Sequence, residues 1–80
     1  MALYSVKTKK SPEEVVEQAK STFGEGGLGL SVSATNPCCI TFEGGGGHIS
    51  VTTSEEADTT EVQLETREWD YQVKEFISQI

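Results

Sequence analysis

The sequence predicts an α+β domain, a mainly antiparallel five-stranded sheet with two helices packed on one face. Three observations point there. Short runs of period-2 alternation recur along the chain, as in Cys38–Glu43 and His48–Thr53. Two longer segments, one near each end, carry apolar residues at helical spacing. In the strand runs one phase is apolar while the other is Ser, Thr, Glu and Gln, so the sheet has one greasy face for both helices and one wet face. The predicted order is β-α-β-β-β-β-α within one domain spanning residues 1–80.

Each element has its own warrant. Residues 2–8 alternate, with Tyr4 and Val6 inward and Ser5 and Lys7 outward. Ser11-Pro12-Glu13-Glu14 is a helix start: Ser11 can cap, Pro12 suits the first helical position, and Glu14 completes a capping box. Val15, Val16, Ala19 and Phe23 then recur on one face, and Gly24 supplies the stop. Residues 28–33 alternate as a second strand, ended by the turn pair Asn36-Pro37. Strands over 38–43 and 48–53 follow, and the polar run 54–59 is expected to be a loop. A last strand over 60–66 turns Val62 and Leu64 inward. A helix starting near Thr66 or Arg67 carries the stripe Trp69, Val73, Phe76, Ile77 and Ile80, with Tyr71 off the stripe and expected to be exposed.

Charge narrows the choice of partner. Thirteen acidic residues against six basic ones leave a net charge of −7 among 80 residues. Affinity for a phosphate backbone or an anionic lipid surface comes from Lys and Arg, so neither nucleic acid nor membrane is an expected partner. Lys7, Lys9 and Lys10 do cluster, but as a solvated strand end. Residues 1–6 lack a basic leader and a long apolar run, so no signal peptide is expected. Two adjacent cysteines are not a disulfide framework, which points to the cytoplasm. Cys38 is expected in the core and Cys39 outside as an open thiol.

Four glycines, Gly44–Gly47, separate the third and fourth strands and precede the only histidine, His48. A phosphate cradle needs a glycine loop that leads into a helix, with a countercharge nearby. This loop leads into a strand beside Glu43, so it reads as a hairpin tip that is free to move. Aligning the apolar phases pairs Phe42 with Ile49, Ile40 with Val51, Cys38 with Thr53 and Glu43 with His48, because a one-residue slip would expose every apolar side chain. His48 then stands on the open face beside Glu43, with Glu65 within reach on the next strand. These three residues are the candidate ligand-binding group. A lone histidine among carboxylates falls short of a zinc site, and no metal or cofactor is expected. Cys39 lies four residues along from His48, roughly 13 Å at strand rise, too far for a nucleophile–base pair. The acidic run Glu55, Glu56, Asp58 lacks the spacing of a calcium loop.

The β-α-β4-α order resembles the small α+β domains grouped with the TATA-binding-protein half-repeat and the helix-grip lipid-binding proteins. That resemblance covers the chain by element order and implies a curved antiparallel sheet holding a long C-terminal helix. The family functions do not come with it. A core of this size leaves no room for a lipid, and the open face carries Glu43, Glu61 and Glu65 where a DNA-binding face would be basic. The expectation is therefore a small non-enzymatic binding or interaction module. Its partner is another protein or a second copy of itself, met through the open sheet face or an edge strand. The alternative is a small-ligand carrier or enzyme with a shallow site at His48, Glu43 and Glu65.

Overall fold

The computed structural model describes residues 2–36 and 38–80, and its elements run in the predicted order. Strand β1 is Ala2–Thr8, helix α1 Pro12–Phe23, β2 Ser31–Asn36, β3 Cys39–Gly44, β4 Gly47–Glu56, β5 Thr59–Arg67 and helix α2 Asp70–Gln79. All five strands form one antiparallel sheet in the order β1-β5-β4-β3-β2. The connection through α1 crosses from one edge of the sheet to the other, and β2 to β5 then follow as successive neighbours. That topology makes β1 and β2 the two edges.

Local chemistry explains α1. Ser11 Oγ accepts from the Glu14 amide at 3.2 Å, and the Ser11 amide donates to Glu14 Oε1 at 3.0 Å. The capping box predicted from the sequence is therefore formed, with Pro12 inside the first turn. Helix α2 starts without a side-chain cap at Trp69. Its first-turn Asp70 instead accepts a hydrogen bond from Tyr4 Oη at 2.9 Å, which ties α2 to β1.

The core lies between the helices and one sheet face. Val15, Ala19 and Phe23 from α1 and Val73 and Phe76 from α2 meet Ile40, Phe42, Ile49, Val51, Val62 and Leu64 from the sheet. Phe23 stands at the centre, with its ring 5.6 Å from that of Phe42 and 5.1 Å from that of Phe76. The predicted register of the central hairpin is formed, including Phe42 with Ile49, Ile40 with Val51 and Glu43 with His48.

Beyond shifts of one residue at strand ends, four features differ from the sequence reading. The second strand starts at Ser31 rather than 28, because the intervening amides serve the end of α1 instead of the sheet. Leu28 N donates to Thr22 O at 3.2 Å and Leu30 N to Phe23 O at 3.0 Å. The polar run 54–59 is not a loop: β4 and β5 stay paired to Glu56 and Thr59 around a tight turn at Ala57 and Asp58. Helix α2 begins at Asp70, since Thr66 and Arg67 are held in β5 opposite Ala2 and His48 and Glu68 turns the chain at φ 78°. Cys38 is exposed rather than in the core. The Asn36 side chain accepts from the Cys38 amide at 3.2 Å, and this turn interrupts the strand alternation before β3 begins. Pro37, read as part of that turn, lies outside the described residues.

Candidate functional site

The hairpin of four glycines is a two-residue turn. Gly44 pairs with Gly47, while Gly45 and Gly46 take φ of 59° and 80°, where L-residues are strained. The tip is packed, contrary to the expectation of a free one. Trp69 Nε1 donates to Gly44 O at 3.1 Å, and the Trp69 ring lies so close that a Cβ on Gly45 would stand 2.7 Å from Cζ2. Trp69 therefore clamps the end of the β3–β4 hairpin onto the start of α2.

His48 follows this turn directly. On the open face it lies opposite Glu43 of β3 and Arg67 of β5, and Ser31 of β2 stands beyond Glu43. A polar row, Arg67–His48–Glu43–Ser31, thus crosses one end of the sheet. Glu65 lies two positions back along β5, opposite Ser50, and its Oε1 sits 3.3 Å from His48 Nε2. The structure brings His48 and Glu65 together, whereas Glu43 is a cross-strand neighbour with no hydrogen bond to the imidazole among the described residues. A shallow groove at this end is lined by Ser31, Thr41, Glu43, Gly46, His48 and Arg67. Arg67, expected from the sequence only near the end of the open face and not in the ligand-binding group, joins the site because β5 runs on to Arg67, one residue past its predicted end.

Chemically this corner offers one imidazole, one carboxylate in contact with it and one nearby guanidinium. Among the described residues no group of three or more His, Cys, Asp or Glu side chains is placed to hold a metal ion. The cysteines cannot supply a nucleophile. Cys39 pairs with Thr52, well along the strand from His48, and its sulfur is bonded to that of Cys38. The open thiol expected at Cys39 is therefore a disulfide between adjacent residues, free cysteines being absent among the described residues. Such a bond ties only one turn and spans no part of the fold.

The remainder of the open face mixes small polar groups with Glu61, Glu65, Lys7 and Leu3. Ser5, Gln63, Thr52 and Cys39 form one cross-strand row, and Ser50 and Thr41, in contact at 3.2 Å, belong to the next. At the β1 edge Leu3 is 70% exposed, and Lys7 reaches Glu56 at 3.8 Å.

The opposite edge differs. All six residues of β2, Ser-Val-Ser-Ala-Thr-Asn, are exposed, and none carries a charge. A register shift between Val32 and Ala34 marks the one irregularity, with Ser33 Oγ donating to Thr41 O at 3.4 Å. Beside this edge, on the helix side, runs a second groove lined by Glu17, Lys20, Gly24, Glu25, Leu30 and Val32. No protein-family model matches the chain, and no curated protein matches it. No helix among the described residues is long and apolar enough to cross a membrane.

Proposed function

We propose that this chain is a non-enzymatic binding module that takes an extended protein segment as an added strand along β2. One observation carries the reading: an edge strand exposed along its whole length without a single charge, on a chain of net charge −7. Edge strands left unpaired are templates for further pairing, and proteins ordinarily blunt them with lysine, proline, an inward charge or a β-bulge, of which the described residues of β2 carry only the irregularity between Val32 and Ala34. Edge β1 has Lys7, with Lys9 and Lys10 just beyond it, whereas β2 has none. Backbone hydrogen bonds along such an edge supply affinity while alternate side chains supply selectivity. The partner is another protein or a second copy of the chain, and the acidic surface argues against nucleic acid and anionic membranes. The cytoplasmic setting is part of this proposal: one apolar core holds the elements together, while the Cys38–Cys39 disulfide, of a kind rare in a reducing compartment, is the observation against it.

A second reading rests on the contact between His48 and Glu65 beside Arg67, which suits a small polar ligand at the glycine hairpin, with Glu43 at its rim. One pair of measurements separates the two. A thermal-shift screen over extended peptides and small polar ligands is run on wild type, Val32→Asp and His48→Ala, with light-scattering mass at several concentrations. Strand addition predicts stabilisation by peptides, or mass growth, that Val32→Asp removes and His48→Ala leaves alone. Stabilisation by small ligands that needs His48 and ignores Val32 would sink it.

A further inference from the structure

We infer that the segment β2 receives comes from a different protein, alternates branched apolar with small polar residues, and carries lysine or arginine at the end that meets Glu25. This deepens the strand-addition reading and rests on it. A strand added to β2 must place every second side chain over the groove between β2 and α1. There Leu30 is buried, Val32 is 46% exposed, and Gly24 and Gly29 contribute no side chain, so the groove holds an apolar spot at Leu30 and Val32 between walls that carry Glu17, Lys20, Ser21 and Glu25. A valine- or isoleucine-sized group over Leu30 and Val32 covers apolar surface that water otherwise meets. The other set of side chains falls at the margin of the open face, where β2 presents Ser31, Ala34 and Asn36, so small residues suit it.

The rim decides that end. Lys20 is engaged with Glu17 at 3.6 Å, while Glu25 has no ion-pair partner among the described residues. One unpaired carboxylate beside the groove, on an acidic chain, favours a basic residue in the incoming segment. The same charge counts against a second copy. A copy pairing antiparallel to β2 would set both α1 helices on one face of the joined sheet and would bring to Glu25 an edge strand with no cation.

The test uses three labelled peptides in fluorescence anisotropy at low salt. One alternates valine and threonine between terminal lysines, one carries glutamates in place of the lysines, and one replaces the valines with serine. The lysine–valine peptide is expected to bind several-fold more tightly than its glutamate twin, and the gap should narrow as salt rises. Glu25→Lys, an exposed change that leaves the fold alone, should weaken the lysine peptide by about two- to fivefold, the range for an exposed ion pair. The serine peptide should fail to bind, and Val32→Asp should remove binding of every peptide. Equal binding of the lysine and glutamate peptides, still lost in Val32→Asp, overturns the charge assignment and leaves strand addition standing. If no peptide binds and the amide resonances of β2 stay unmoved, both readings fall. A molar mass that doubles with concentration in wild type but not in Val32→Asp assigns the edge to a second copy and overturns the inference.

Discussion

Three residues at the two tight turns carry backbone conformations that their neighbours do or do not suit. Gly45 and Gly46 both hold positive φ, but only Gly45 lies against Trp69. Gly46→Ala should therefore cost about 1 kcal/mol of left-handed strain. Gly45→Ala adds a collision with the indole to that strain and should cost about 2–3 kcal/mol. Urea denaturation of the two variants checks the order, and equal losses would show that Trp69 is no clamp. The opposite case is Ala57, at φ 51° in the β4–β5 turn. Glycine there relieves the strain but loosens the unfolded chain, for a net gain of about 0.5 kcal/mol, or roughly 2–4 °C in Tm. No periodicity marks Ala57. A polar run with no glycine reads as a loop, and only pairing with β5 shows it to be a hairpin.

Among the elements, the ones legible in the sequence are those whose signals are local. Helix α1 runs over the expected residues because Ser11, Pro12, Glu14 and Gly24 each act within a few positions of themselves. The start of β2 and the start of α2 were not legible, since both depend on where distant backbone groups find partners. The caps also set pH behaviour. The Glu14 carboxylate accepts from the Ser11 amide and interacts with its side chain, which holds its pKa below the ordinary 4.5. The folded state thus prefers the charged form, so this contribution is present at neutral pH and is lost as pH falls below 4.5 through the lower folded value. Glu14→Gln should flatten that acid limb in thermal melts between neutral and acidic pH. At the other extreme, donation to Asp70 raises the Tyr4 pKa above 10.0, helped by burial and by the Asp70 charge. That link is intact below 10.0 and fails as pH rises through the higher folded value, and Tyr4→Phe should remove this alkaline loss.

Across the fold as assembled, stability converges on Phe23. It joins α1 to both α2 and the sheet, so Phe23→Ala should cost about 3–5 kcal/mol. A domain of this size holds roughly 4–12 kcal/mol in all, so the variant should lose much of its cooperative unfolding transition. Phe23→Leu, which keeps most of the volume, should lose markedly less. Both are read from urea midpoints and slopes, and an unchanged midpoint in Phe23→Ala would show that the two helices pack independently. The candidate surfaces were legible to unequal degrees. Apolar phase alone placed His48 opposite Glu43 and put Glu65 near, because register has a period of two and one slip would empty the core. The uncharged edge was not visible as an edge. Val32 alternates like any core position, and its exposure follows from β2 being last in the sheet.

What the amino-acid sequence determined by itself was the element order, the capped first helix, the one-sided sheet and the pairing of the glycine hairpin. Each of these rests on interactions within a turn or between alternating neighbours. Tertiary structure alone decided which strands became edges, that Trp69 packs on the glycine tip, and that Cys38 faces out. Those outcomes depend on which backbone donors and acceptors meet across the sheet, and that is set only when the crossover through α1 sends β2 to the far side.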